Sequence, residues 1–351
     1  MAVVLWMSDK NPSHKFEEDV KWSPHKYSLP LLTYGFVEAV GEHSEKPVLF
    51  LLIFKIDPSS AEQSNQASPI LHIMVTINTT PSTVLASLSY FSPPTDGSKP
   101  RLYNFTPPEG VPAMNYDLVK HTVPIENVRG KEDTLSLDTS GFQFVKHTSA
   151  HKAFNDDAEI KKDYYPESIE LLKKLTGASK VVLFNHTLRR RRGQGDNGYS
   201  GPKKRGAATS VHVDQTPLAA HNRVRLHLSE DEAAERLKRR FQIINLWRPI
   251  SHPALDWPLA VCDYRSVNLK EDLVPVDLVY PDRVGETFNV KYNPEHKWKY
   301  LQGITPEEVI LQVVHGSVAV FTPHAAFEDP TTPEGSPFRE SIEVDQGSGF
   351  L

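Results

Sequence analysis

The rhythm of apolar positions along this chain changes at Met74. Before it, residues 1–73 hold a polar stretch, one apolar run at 48–56 and the linker-like "DPSSAEQSNQASP", with the period of neither helix nor strand. After it, "MVTINTTPSTVLASLSYFSPPTDGSKPRLYNF" interleaves β-prone pieces with turn residues. A helix is predicted over "YYPESIELLKKLTG": Pro166 suits the first turn, Ile169, Leu172 and Leu175 share a face, and Gly177 suits the stop. β-branched content predicts a strand in "SKVVLFNHTL". The segment that follows is Gly-rich, basic and aperiodic, which predicts a mobile basic loop over 189–206. Beyond it the pattern gives a short charged helix near "SEDEAAERLKRR" and strands in "FQIINLWRPI", "PLAVCD", "SVAVFTPHAAF" and "FRESIEV". In "GITPEEVILQVV", Thr305 suits the cap of a turn, with Pro306 at its first position and Glu308 completing a capping box. Strands dominate the C-terminal half, at the spacing of a barrel or sandwich, and there is no internal repeat.

Composition narrows the function class. The chain has 351 residues with 39% hydrophobic, enough for a sizeable core. A formal charge of -5 offers no general footing for nucleic acid or an anionic membrane. The basic clusters at 189–192 and 203–205 read as a solvated loop in an otherwise acidic chain. Cys262 is the sole cysteine, which excludes an intramolecular disulfide and a Cys-rich zinc site and points to a reducing, cytoplasmic compartment. The run at 48–56 carries Lys55 and is too short to span a bilayer. The start "MAVVLWMSDK" lacks a basic n-region and a sustained apolar core, so it does not read as a signal peptide. The 28 prolines favour turns and strand edges over a helical bundle.

Candidate chemistry begins at "ATSVHVDQTP". His212 and Asp214 are two apart in a β-prone run, so both side chains point to one face of a strand. Such a pair is either two polar residues on a wet face or part of a metal site. Non-haem iron oxygenases complete a His/His/carboxylate facial triad with a distant third ligand. Among later histidines, His221 and His227 lie too close to the pair, His252 and His296 sit in Pro-flanked settings, and His315 precedes a glycine. His324, in "FTPHAAFEDP", follows a strand and precedes an aromatic residue. Fifteen residues on, Arg339 and Ser341 again share a strand face, and a guanidinium beside a hydroxyl suits a carboxylate. Arg339 alone would read as a surface partner of Glu340 or Glu343.

From about Leu85 to Val344 the chain resembles the fungal hydroxylase/desaturase family of Fe(II)/2-oxoglutarate-dependent oxygenases of secondary metabolism, which includes gibberellin-desaturase-like and citrinin-pathway oxygenases. The resemblance rests on "LSYFSPPTDGSKP", "NYDLVKHTVPIENVRG", "DTSGFQFVKHTS", "YYPESIELLKKLTGASKVVLFNHTLR", "VHVDQTP", "INLWRPI", "PLAVCD", "YNPEHKWKYLQGITPEEVILQ" and "FTPHAAFEDP". It implies a mainly β fold, a double-stranded β-helix (a cupin-like jelly roll) with flanking helices. It also implies that His212, Asp214 and His324 bind Fe(II), that Arg339 and Ser341 hold 2-oxoglutarate, and that O2 is the second cosubstrate. No catalytic residue beyond the metal ligands is implied.

Two features depart from the family. Its members continue after "SIEV" with a further basic and apolar strand, whereas this chain runs on as "DQGSGFL", so a clipped last strand is expected. Met74 opens a segment that itself looks like a family N-terminus. Residues 1–73 are therefore expected to be a poorly packed extension, or the product of mis-assigned gene ends, beside an oxygenase domain over 74–351.

Supporting residues follow from strand parity. Asn245 and Trp247 share one face, and an inward Asn245 would donate to the cosubstrate carboxylate. Arg248, on the opposite face, is a candidate for anchoring an acidic substrate, with bracing of the barrel slightly ahead. Tyr292, Asn115 and Tyr103 are candidates for the substrate wall, and His186 reads as a structural histidine. The function expected is hydroxylation, desaturation or oxidative cyclisation of a small-molecule metabolite. Its rivals are a catalytically inactive jelly-roll binder and a metal-dependent hydrolase.

Overall fold

The computed structural model describes residues 2–7, 51–52, 73–74, 82–191, 206–316 and 318–344. The chain divides into two units, one of residues 1–11 with 82–351 and the other of residues 12–81. In the second, the described residues form an antiparallel pair, β2 (Leu51–Leu52) with β3 (Ile73–Met74). The remainder of the run at 48–56 lies outside the described residues.

The first unit is two β-sheets with helices on the outside. The larger contains β4 (Thr83–Ser92), β5 (Arg101–Tyr103), β6 (Asp117–Asn127), β10 (His212–Val213), β12 (Leu259–Cys262), β13 (Leu273–Val279), β14 (Val284–Val290), β15 (Trp298–Tyr300) and β17 (His324–Ala326). Its order is β4-β6-β15-β12-β17-β10-β14-β13-β5. The sheet curls, since β4 returns beside β10 through a bridge between Ser89 and Ser210. The second sheet contains β1 (Ala2–Met7), β7 (Phe142–Lys146), β8 (Ala178–Leu183), β9 (Thr187–Arg190), β11 (Phe241–Pro249), β16 (Glu308–His315) and β18 (Glu340–Val344). The two sheets pack face to face: Phe142, Phe144, Trp247 and Ile310 of one form a buried cluster with Leu259 and Val261 of the other. This mainly β architecture is the jelly roll that the sequence led us to expect.

Helices cover the outer face of the second sheet. A turn of helix, α1 (Asp157–Glu159), passes through a π-helical stretch (Ile160–Tyr164) into α2 (Tyr165–Thr176). Its buried face is Ser168, Leu171 and Leu172, with Leu175 alongside, one position round from the expected stripe. Gly177 ends it in the left-handed conformation, at φ 69°. Helix α3 (Pro217–His227), capped by Thr216, had no sequence forecast, and α4 (Glu230–Arg236) is the charged helix expected, capped by Ser229. At Thr305 the capping box forms only as a turn, because Glu308 already begins β16 while its carboxylate accepts from the Thr305 amide.

Two expectations change. The loop over 189–206 starts later than charge suggested. Arg189 and Arg190 are the end of β9, where hydrogen bonding to β18 outweighs the repulsion of neighbouring cations, and residues 192–205 lie outside the described residues. The expected poor packing of residues 1–73 does not hold for Ala2–Met7, whose strand lies between β11 and β8. Ala2 pairs with Asn245, one residue beyond Leu246, the last partner of Val344. Thus β1 takes up the edge of β11 where β18 leaves it. The expected clipped strand concerns residues 345–351, outside the described residues.

Candidate metal centre

Strand register brings the three predicted ligands together. His212 pairs with His324 across β10 and β17, so the two imidazoles leave the same face of the sheet. Asp214, two residues past His212, follows the same parity. The ligand atoms of His212, Asp214 and His324 all lie within 4.8 Å of one another. His212 Nε2 is 3.6 Å from Asp214 Oδ1, and His324 Nε2 is 3.7 Å from Asp214 Oδ2. His315 packs at a tilt against Phe241 and His296 bonds to Asp272, so neither joins the group.

The tautomers are fixed by the backbone. His212 Nδ1 is 2.8 Å from the carbonyl of Ser210, and His324 Nδ1 is 3.1 Å from that of Thr322. A carbonyl only accepts, so each Nδ1 carries the proton and each Nε2 turns a lone pair towards the shared point. Thr322 is itself held by Gly141, whose carbonyl accepts its hydroxyl. Gly141 sits at φ +90°, and a Cβ there would lie 2.7 Å from Thr322 Oγ1, so the position excludes other side chains on both counts. Burial pushes Asp214 up, but the neighbouring His324 and His212 outweigh it and hold the carboxyl well below its usual range. For His212, burial lowers the pKa and Asp214 more than restores it, giving a net rise. For His324 burial prevails and the shift is downward. A carboxylate with two neutral imidazole lone pairs is a donor set that fits a divalent first-row ion.

A second polar group continues from the first. Asn245 Nδ2 donates to Asp214 Oδ2 at 2.5 Å and to Glu343 Oε1 at 3.3 Å. Both amide hydrogens thus go to carboxylates, and Asn245 braces Asp214 rather than donating to a cosubstrate. Glu343, buried, also meets Arg189 Nε at 3.5 Å. Glu343, Ser341 and Arg339 alternate along one strand face, with Ser341 about 7 Å from Glu343 at the usual strand rise. Arg339 is 2% exposed, and Ser341 is fully buried with a hydroxyl that has no partner among the described residues. Such an orphan beside a buried guanidinium fits a bound carboxylate. Burial, then the nearby Arg189, pulls Arg339 down to about 10, which leaves it cationic at neutral pH. Sequence reasoning missed Glu343 and Arg189, although extending the period-two reading of "RESIE" by one step reaches Glu343.

The remaining candidates lie elsewhere. Arg248 points to the opposite face of β11 from Asn245 and is buried, bonded to the Tyr164 hydroxyl, His147 Nδ1 and the carbonyls of His147 and Pro306. It is a brace. Tyr292 stacks on His121 at 3.9 Å and meets Tyr90 edge-on. Asn115 ties a loop by accepting from the Arg101 amide and donating to Ser98 Oγ and the Lys99 carbonyl. Tyr103 packs edge-on against Phe105. None of the four joins the metal group. His186 bonds to the Tyr165 hydroxyl, a structural contact as expected.

Comparison with known proteins adds an independent line. A family model described as "Oxidoreductase/YMDC permease-like domain" matches residues 88–346. The chain is 35% identical to the hydroxylase/desaturase efuI of Hormonema carpetanum, over 75% of this chain and 93% of that protein. It is 34% identical to the Fe(II)/2-oxoglutarate-dependent dioxygenase nvfI of Aspergillus novofumigatus, over 72% of this chain and 92% of that one. Its fold matches the solved structure of a variant of the iron and alpha-ketoglutarate-dependent endoperoxidase NvfI, with a TM-score of 0.67 and 28% identity, covering 75% and 96% of the two chains.

Proposed function

Because this chain belongs to the fungal hydroxylase/desaturase family of Fe(II)- and 2-oxoglutarate-dependent oxygenases, we propose that His212, Asp214 and His324 are its iron ligands and that Arg339 with Ser341 anchors 2-oxoglutarate. The observation that carries the reading is the convergence of three ligand atoms within 4.8 Å, from residues as distant as 212 and 324. Iron, 2-oxoglutarate and O2 are the cofactor and cosubstrates of this enzyme class, and when bound they supply the oxidising power for a C–H bond.

The chain's own residues do the arranging. The Ser210 and Thr322 carbonyls orient the two imidazoles, and Asn245 orients Asp214. The planar fork of Arg339 and the Ser341 hydroxyl receive the far carboxylate of the cosubstrate, setting its register along β18. Trp247, Val261 and Phe142 belong to one buried apolar cluster, in which the Trp247 ring lies 5.7 Å from the Arg339 guanidinium and Val261 pairs with His324. The outcome is hydroxylation, desaturation or oxidative cyclisation of a small-molecule secondary metabolite. The compartment we assign is the cytosol, on the chain's cysteine usage: a single cysteine, Cys262, which is buried and leaves no intramolecular disulfide to form. No helix among the described residues is long and apolar enough to cross a membrane.

The test is a 2-oxoglutarate titration of succinate release, wild type against Arg339→Lys, at saturating Fe(II). Lysine offers a point charge in place of a fork, and a lost charge-assisted hydrogen bond of roughly 1.5–3 kcal/mol raises the 2-oxoglutarate KM on the order of 10- to 100-fold. Iron binding is retained, since no ligand changes. An unchanged KM would move the anchor elsewhere, first to Arg189, which faces Ser341 across β9 and β18. A metal-dependent hydrolase would have no use for Arg339.

A further inference from the structure

The segment before β12 makes a set of contacts to Arg339 that the iron chemistry does not require. Trp257 has φ 47°, the positive-φ residue other than glycine among those described. A tryptophan in the left-handed region is strained and persists only where its surroundings hold it. Its carbonyl accepts from Arg339 Nη1 at 2.8 Å. The preceding residue, Asp256, is buried, and its Oδ2 accepts from the Arg339 backbone amide at 3.1 Å. The same carboxylate takes Arg191 Nη1 at 2.9 and 3.0 Å. Arg191 closes the ring, its backbone amide donating to the Arg339 carbonyl at 3.0 Å. Its guanidinium lies 5.1 Å from the Trp257 ring and 5.0 Å from that of Phe338. Arg339 is thus fixed on both sides of its main chain and at one guanidinium nitrogen.

We infer that Asp256, with Arg191, is a positioning residue that sets the affinity for 2-oxoglutarate by holding Arg339 in place. The inference rests on the reading of Arg339 as the carboxylate anchor. The carboxylate neutralises Arg191 and fixes the strand start from which Arg339 projects. The Trp257 carbonyl then takes one edge of the guanidinium, which restrains the planar group from swinging about its stem. Asparagine at 256 keeps the shape but removes the charge that holds Arg191. The fork then loses its fixed origin while every iron ligand is untouched.

The test is anaerobic equilibrium binding of 2-oxoglutarate to the Fe(II)-loaded protein, read by visible absorption. It compares wild type, Asp256→Asn, Arg339→Lys and the double variant, with thermal unfolding to establish that each is folded. Arg191→Met serves as a second, independent break of the clamp. Asp256→Asn and Arg191→Met are expected to raise the 2-oxoglutarate Kd about 10-fold with Fe(II) affinity unchanged. In the Arg339→Lys background Asp256→Asn should add less than about 2-fold, because contacting sites that act through one another are non-additive. A full 10-fold effect in both backgrounds, or a flat response to both clamp variants while Arg339→Lys responds, overturns the inference alone. A flat Arg339→Lys overturns the anchor reading beneath it as well.

Discussion

Arg248 offers the sharpest separation of stability from chemistry. Replacing it with methionine removes four hydrogen bonds, at 3.1 Å to the Tyr164 hydroxyl, 2.6 and 2.5 Å to the carbonyls of His147 and Pro306, and 2.7 Å to His147 Nδ1. Burial, then the charge of Arg248, lowers the pKa of His147, so its ring is neutral and Nδ1 accepts. Hydrogen bonds to a charged group contribute roughly 1.5–3 kcal/mol each, about 6–12 kcal/mol for the set. Burying a guanidinium costs several kcal/mol in return. Methionine fills most of the space but leaves the acceptors unpaired, so the net loss expected is about 3–5 kcal/mol. Urea unfolding at pH 7 measures it, as a lower midpoint with an unchanged slope. The 2-oxoglutarate KM of the folded fraction stays at the wild-type value, because Arg248 faces away from Asn245 and Trp247 on the same strand. A stability change below about 1 kcal/mol would refute the brace. A selective rise in KM at full stability would return Arg248 to the site.

Other consequences follow from the same geometry. Asn245→Leu should weaken Fe(II) binding about 10-fold or more, as outer-sphere partners of ligands typically do, with isothermal titration as the measurement and unchanged affinity as the contrary result. Glu308 is driven up by burial, but the hydrogen-bonded Arg129 beside it prevails and its pKa is lowered. A carboxylate with a depressed folded pKa adds stability that is present above its unfolded pKa of about 4.3 and is lost as pH falls through the folded value. Urea unfolding of wild type and Glu308→Gln should therefore show a constant gap from about pH 7 to 5 that narrows below about pH 4. A gap that widens on acidification would count against the pairing.

What was legible in the sequence was whatever strand parity encodes. His212 and Asp214 share a face because they are two apart, as do Arg339 and Ser341, and Arg248 falls opposite Asn245 because it is three away. Parity does not say which sheet a strand joins. Tyr292 and Tyr103 read as pocket aromatics by type alone, yet they pack on His121 and Phe105. Helix α3 escaped notice because only Ala220 and Val224 of its eleven residues are buried, too sparse a stripe to announce a period. The cations of β9 carry a loop's local signature, and their pairing to β18 is a tertiary fact that local charge does not encode. Asp256 and Trp257 carry no local signal for their role, since the clamp exists only where three distant segments meet.

The central claim is that His212, Asp214 and His324 form one iron site that is completed by 2-oxoglutarate. Anaerobic titration of the apoprotein with Fe(II), then with 2-oxoglutarate, tests it most directly, with Asp214→Ala in parallel. The account predicts saturation at about one iron per chain and a weak visible charge-transfer band that appears only once 2-oxoglutarate is added. In Asp214→Ala both should be lost while the protein stays folded. Stoichiometric iron binding and an undiminished band in Asp214→Ala would contradict the account.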